Sequence, residues 1–523
     1  MIQYIFFLLV GFVAAGFIGK LQFRTPVLVV LSLTFGWAVI GALGIFAKTE
    51  FVRENSLICW LGFSALFLPV LKFTPFEFLV YLFTKEKAQS HGSAEWADKQ
   101  TAKRYDKGFP LGRMGKNIFR VLSHLVICAP TRSGKGVGSI IPTLLEHIGS
   151  VICLDVKGEN YAVTHRQREA LGNRVYLVDP FGLTSGRKSR FNWLDTIDVK
   201  NPDCIGQAAA LSDMIVAHDK APSDPHFEES AKALIQGLIL LAAADPDKQE
   251  RNMVTVRKIL MLPDSQFLAL MNGCIGHPAA FDVISRCAAK MVGTPEKERG
   301  SIISTAQRHT AFLDDPRLAE TLSGSDFDIS RIKEENISVF LVMAPDRLRA
   351  YRSFVRAFYG IAISAITATQ TKSKDGVILQ FDEFNQLGYM AAVEDGVSLL
   401  AGYNAWVHAY VQDLSQLKGM YAKWQTFLAN SSRLFFGCND YDTAKYVSDT
   451  LGQFTETIAK EDTGGAADSR ISRNLLNPDE VMRLPKSSVI ALLQGEAPAL
   501  LHRLTYYEDK EYQGLYDANP FHS

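Results

Sequence analysis

The residues best suited to chemistry are a lysine set behind a glycine, Gly134-Lys135, and two adjacent carboxylates far downstream, Asp382-Glu383. A polyphosphate is held by convergent backbone N–H groups, a glycine where the chain must come close, a lysine aimed at the β and γ oxygens, and a helix N-terminus behind them. Ala129-Pro130-Thr131-Arg132-Ser133-Gly134-Lys135-Gly136 supplies that order, and Val137 to Leu145 can run on as a helix. Thr131, Arg132, Ser133, Gly134, Lys135, Gly136 and Val137 are therefore the candidate nucleotide-binding residues. The match to G-x-x-x-x-G-K-[ST] is incomplete: Ala129 stands at the first glycine, and Gly136 at the hydroxyl residue that ordinarily touches Mg2+. On this octapeptide alone, a glycine-rich turn with an exposed lysine reads the same way.

The carboxylates narrow the choice. Asp382 and Glu383 close the apolar run Val377-Ile378-Leu379-Gln380-Phe381. Phosphoryl transfer depends on positioning and charge neutralisation. Asp382 can hold the metal directly or through water, and Glu383 can polarise the attacking water. A further run, Ala405 to Val411, ends in Gln412, a polar group at a strand tip suited to sensing the γ-phosphate. Lys135, Asp382, Glu383 and Gln412 together imply ATP hydrolysis with Mg2+ as cofactor.

These groups need a sheet to position them. Val121 to Cys128 precedes the loop, and Val151 to Asp155, Val175 to Asp179, Ser338 to Val342, Val377 to Phe381 and Ala405 to Gln412 are further continuous apolar runs. Such runs, with helices between them, predict an α/β fold with a parallel, doubly wound sheet that carries its ligands on the carboxyl edge. From Asn201 to Leu322 the pattern turns helical, as in Glu228 to Ala243, Thr255 to Leu262 and Arg299 to Phe312, which predicts an inserted all-α domain.

The first residues differ again. Ile2 to Ile18 and Pro26 to Ala47 are nearly uncharged runs, and Ser56 to Leu71 is a third if it extends toward Phe83. Spanning a bilayer takes about 20 apolar residues, so two or three transmembrane helices are expected. A cleavable signal peptide does not fit, because no Lys or Arg precedes Lys20. The bulk of the chain, with its nucleotide motifs, is expected in the cytoplasm. The expected organisation is an anchor over 1–84, a nucleotide-binding domain split over 85–200 and 323–523, and the all-α domain over 201–322. Lys plus Arg and Asp plus Glu each total 55, so no global charge marks nucleic acid as a partner. The cysteines form no C-x-x-C pair and read as small buried hydrophobes.

Several of these stretches, taken in order, are similar to one family. His91-Gly92-Ser93-Ala94-Glu95-Trp96-Ala97, Pro130 to Gly138, Asp155-Val156-Lys157-Gly158-Glu159, Asp382-Glu383-Phe384 with Leu387-Gly388, and Gln412 to Leu417 resemble the TraG-like type IV coupling proteins of conjugation and type IV secretion. The resemblance covers most of the chain after residue 90 and includes Gly136 in place of the hydroxyl. It implies an ATPase of the bacterial inner membrane with a RecA-like P-loop motor domain, working as a hexamer with itself. The partners implied are inner-membrane components of the secretion channel, and as cargo a relaxase with transferred single-stranded DNA, or effector proteins.

One departure concerns the arginine that ring motors offer to a neighbour's γ-phosphate. No arginine lies between Arg356 and Arg433, so Arg433 is the candidate, with Arg132 and Arg356 as rivals. A chromosome-partitioning DNA translocase is the alternative class, although the stretch after Val489 to Leu493 leaves no room for the winged-helix module expected there. A scaffold with a degenerate loop is disfavoured by intact Lys135, Asp382, Glu383 and Gln412. The acids of the helical region, among them Asp213, Asp219, Glu228 and Glu229, suit protein docking better than a DNA clamp. Lysines such as Lys418 and Lys423, after the Gln412 strand, could face a pore or equally be solvated helix charges.

Overall fold

Runs such as Ser150–Asp155 and Ile337–Val342 have no polar alternation, so they must be covered on both faces, and every residue of both is buried. The computed structural model describes residues 92–216, 225–458 and 469–521. The expected membrane spans lie outside these residues; among the described residues no helix is long and apolar enough to cross a membrane. In chain order the strands are β1 (Phe109–Met114), β2 (Asn117–Val121), β3 (His124–Cys128), β4 (Ser150–Asp155), β5 (Arg174–Val178), β6 (Ile337–Val342), β7 (Val377–Phe381), β8 (Ala405–Val411), β9 (Ser431–Phe435), β10 (Gln453–Ile458), β11 (Ser469–Asn474), β12 (Ser488–Leu492) and β13 (Ala499–His502).

One sheet has the order β2-β1-β13-β12-β9-β3-β8-β7-β4-β6-β5. From β9 to β5 all neighbours are parallel, and from β9 outward through β12, β13, β1 and β2 they are antiparallel. The parallel part is the expected α/β core, and its order brings β3, β8, β7 and β4 side by side. β10 and β11 form a separate antiparallel pair.

The run from Val121 to Cys128 is two strands rather than one. β2 ends at Val121 on the sheet edge, paired only to β1, while β3 starts at His124 in the centre between β8 and β9. Leu122 between them is exposed, and the Ser123 hydroxyl donates to the Ser432 hydroxyl of β9. Two apolar strands that meet at a short exposed corner look continuous in a hydrophobicity pattern, because the corner residue is itself apolar.

Successive residues of the central strands enter opposite cores, as the pleat requires. Val126, Ile152, Leu154, Leu379 and Val407 share one core with Leu211, Leu234 and Leu238 of the helical region. Leu125, Ile127, Val151, Cys153 and Ile378 share the other with Ile140 and Leu144, on the helix behind the phosphate loop. Between β5 and β6 the described elements are helical, including Cys204–Ile215, Pro225–Ala243, Met253–Leu260, Asp264–Cys274, Val283–Gly293 and Glu296–Thr310. The helix Arg352–Thr367 is buried along most of its length between these helices and the sheet. The described cysteines are free, and all but Cys287 are buried.

One buried cation fixes the helix behind the loop. Arg168, on the helix Glu159–Ala170, is fully buried and donates to the carbonyls of Leu144, His147 and Gly149, to Asn173 Oδ1 and to the Ser338 hydroxyl. Burial lowers its pKa to about 9. The guanidinium thus sits at the negative end of the helix that begins at Gly136, where a cation is favoured. Arg168→Met keeps the stem but strands these buried acceptors, so it should cost on the order of 3 kcal/mol in a urea-unfolding measurement.

Candidate nucleotide site

The carboxyl tips of β3, β8, β7 and β4 lie in a row, and the candidate residues follow those tips directly. Ala129 N–H donates to Val411 O, which stitches the start of the loop to the tip of β8. The loop then turns through Arg132 at φ 63° and Gly134 at φ 91°. Its helix opens with one π-type turn, Gly136–Ile140, before the α-helix Ile141–Glu146. Such single π-type turns are frequent at functional sites. Buried Ser139 shares a hydrogen bond of 2.9 Å with the hydroxyl of Tyr410 on β8, tying that turn to the sheet.

Lys135 and the carboxylates meet across β8. Strands lie about 4.8 Å apart, so β3 and β7 are separated by roughly two such steps. The extended lysine covers that gap: its Nζ is 2.7 Å from Asp382 Oδ1 and donates to Glu383 Oε1 at 2.5 Å. Burial acts against the ammonium, but the two carboxylates outweigh it and hold the Lys135 pKa above its usual value. Gln412 Nε2 approaches Glu383 Oε2 at 3.5 Å, and its N–H donates to Gln416 Oε1. Glu383 itself takes a left-handed backbone, φ 62° and ψ 51°. A non-glycine residue held there costs on the order of 1 kcal/mol, and such strain clusters at working sites.

The donor set fits Mg-ATP. Asp382 is buried, and its Oδ1 lies in ion-pair reach of Lys135 yet makes no aligned hydrogen bond, so a lone pair remains for a cation. The buried Ser133 hydroxyl has no partner either. A Cβ built on Gly136 meets nothing within 4 Å, so the residue missing from the generic pattern is not excluded by crowding.

Two carboxylates escaped the list of candidate residues, although both lie in a stretch that resembles the family. Asp155 is the last residue of β4, where it pairs with Val342 of β6, and Leu154 before it faces Phe381, just before Asp382. It is buried and accepts N–H groups from Tyr161 and Lys157, and burial still lifts its carboxyl to about 7. Glu159, at the start of the next helix, accepts from Asn519 Nδ2 at 2.7 Å. A carboxylate at a strand tip was the available signal for Asp155.

The arginines divide differently. Arg433 lies within β9, opposite Val126, and donates to the Tyr446 hydroxyl at 2.8 Å rather than joining the lysine–carboxylate cluster. Arg356 is buried and donates to Leu387 O. Arg132 is exposed at the turn of the loop. Thr131 is likewise exposed and Val137 half-buried. Lys418 and Lys423 are exposed, Lys418 lying 4.8 Å above the Trp424 ring.

Comparison with known proteins places this arrangement. A family model described as type IV secretory system conjugative DNA transfer matches residues 84–522. Conjugal transfer protein TraG of Escherichia coli is 28% identical over 436 residues, covering 76% of this chain and 67% of TraG. Protein VirD4 of Rhizobium radiobacter is 28% identical over 499 residues, covering 88% of this chain and 70% of VirD4. Among solved structures, the bacterial conjugative coupling protein TrwB in an unbound form superposes with a TM-score of 0.63 at 16% identity, over 79% of this chain and 95% of that one. TrwB in complex with ADP and Mg2+ gives 0.60 at 16% identity, over 79% and 94%. The RecA-like α/β fold is therefore shared.

Because Gly136 has helical backbone and open space at its Cβ, Gly136→Ala should raise stability by about 0.5–1 kcal/mol, through a smaller entropy loss on folding. A denaturant midpoint that falls instead would show that the π-type turn needs glycine.

Proposed function

The chain belongs to the type IV secretory system conjugative DNA transfer family, and from that membership we propose that it is a coupling ATPase of a type IV secretion or conjugation system. It takes up relaxase-bound single-stranded DNA, or protein substrates, and drives them to the secretion channel. The observation that carries the reading is the lysine of the phosphate loop lying against both carboxylates of the strand two places away.

In this reading Thr131 to Val137 cradle the phosphates, and their backbone N–H groups with the helix behind them favour the negative charge. Asp382 would hold Mg2+, which neutralises phosphate charge when bound. Lys135 exchanges its carboxylate partners for the β and γ oxygens. Glu383, relieved of the ammonium, accepts a proton from water, and Gln412 orients that water or the γ-phosphate from the tip of β8. ATP and Mg2+ are the cofactors, as in the TrwB complex with ADP and Mg2+.

The wider assembly follows the family. Residues 1–84 anchor the chain in the bacterial inner membrane by two or three helices, with the motor in the cytoplasm. The motor is split over 85–200 and 323–523 around an all-α domain at 201–322, and subunits form a hexamer that meets inner-membrane components of the channel. For the cation offered to a neighbouring subunit, Arg433 is the candidate from sequence. Arg132 is the one of the three arginines exposed beside the cradle, which favours it.

Steady-state phosphate release from the purified protein tests this reading. Lys135→Ala should lower turnover by about 10²-fold or more, in line with the loss of one preorganised charge-stabilising donor. Single-stranded DNA should raise the wild-type rate. Turnover that persists in Lys135→Ala would contradict the site, and turnover indifferent to DNA would favour protein cargo.

A further inference from the structure

The stretch Gly134-Lys135-Gly136-Val137-Gly138 has one glycine more than phosphate binding explains. Gly138 is buried inside the first helical turn, where glycine costs about 1 kcal/mol relative to alanine. Something must need the space. A Cβ built on Gly138 would lie 2.7 Å from Arg503 Cγ and 2.9 Å from Leu504 O, and one built on Gly134 would lie 2.3 Å from Arg503 Nη1 and 2.8 Å from its Cζ. The two glycines thus form a channel for one arginine side chain, delivered from just beyond β13, where Arg503 N–H donates to Ser487 O.

The end of that side chain makes a single aligned contact: Nη1 donates to Ser133 O at 2.9 Å. Its partner is thus a main-chain oxygen rather than a carboxylate, and its buried Nε has no hydrogen-bond partner. The accepting carbonyl belongs to the Ser133–Gly134 peptide unit, whose N–H is that of Gly134. In a trans peptide the C=O and N–H point in opposite directions. Holding the oxygen from outside therefore aims the Gly134 N–H the other way, and a cationic donor on the oxygen polarises that N–H. Among the described residues no protein acceptor takes the Gly134 N–H.

We infer that Arg503 is a positioning residue of the nucleotide site, which sets the Ser133–Gly134 peptide so that the cradle presents its N–H to a phosphate oxygen. Gly138 is kept small to admit its stem. This rests on the reading of the loop as a nucleotide site.

The test compares wild type, Arg503→Met, Arg503→Lys and Gly138→Ala in the full chain, by ATP turnover and by thermal midpoint. Loss of a charge-assisted hydrogen bond corresponds to a rise of about 10-fold or more in KM for ATP in Arg503→Met, with kcat changed less than about threefold. Arg503→Lys should recover most of the loss, because an ammonium can still donate to Ser133 O. Gly138→Ala should raise KM by displacing the Arg503 stem and the Leu504 carbonyl beside it. Thermal midpoints should stay close to wild type in both Arg503 variants. A KM for Arg503→Met within twofold of an active wild type would overturn the inference and leave the nucleotide reading standing. So would an Arg503→Lys variant as impaired as Arg503→Met. A wild type that neither binds nor hydrolyses ATP would overturn both.

Discussion

One ammonium group shared by two neighbouring carboxylates, across the width of an intervening strand, is the constraint around which this structure is arranged. Asp382 is buried and Glu383 adjoins it, and two carboxylates at adjacent positions need a counter-charge. Lys135 supplies it from the far side of β8. That reach is possible only if β3, β8 and β7 are parallel and adjacent, so that their carboxyl tips coincide. The sheet order, the two flanking cores and the helix that follows the loop all serve that coincidence. The same ammonium that balances the carboxylates is the group a polyphosphate would compete for, so structural and chemical roles rest on one atom.

The loop is held from both ends by arginines with no carboxylate partner in their hydrogen bonds. Arg168 gathers carbonyls at the end of the helix behind the loop, and Arg503 takes the Ser133 carbonyl at its start. Both act on backbone oxygens, so they fix the direction of peptide units rather than neutralise charge. Two residues of the site itself have left-handed backbone, Arg132 in the loop and Glu383 at the carboxylate pair. Strain of this kind persists where the surroundings over-determine the backbone. For Arg132 the next peptide carbonyl is held by Arg503, and for Glu383 the carboxylate is held by Lys135.

Much of this was legible in the sequence. The central strands are buried on both faces, so their apolar runs carry no competing pattern, and the polar residues that end them, Asp382 and Gln412, mark the carboxyl edge. The antiparallel extension through β12, β13, β1 and β2 was less legible, since short strands such as Ala499–His502 alternate buried and exposed residues over only four positions. The corner at Leu122 was hidden because an exposed leucine does not interrupt an apolar run. Arg168 and Arg503 could not be assigned from sequence, because their acceptors are main-chain carbonyls, which have no residue type. Arg433 follows the carboxylates in sequence, but its partner within the chain, Tyr446 on the helix Tyr441–Leu451, is not marked by any spacing in the sequence.

The account turns on Lys135 being held by Glu383 until a nucleotide takes it. The most direct measurement is the equilibrium affinity for ATP with Mg2+ of Glu383→Gln against wild type, under conditions without turnover. Removing one charge that competes for the ammonium should tighten binding by several-fold, on the scale of 1.4 kcal/mol for each factor of ten. Weaker binding in Glu383→Gln would contradict the account, because it would mean that the carboxylate helps to hold the nucleotide rather than the lysine.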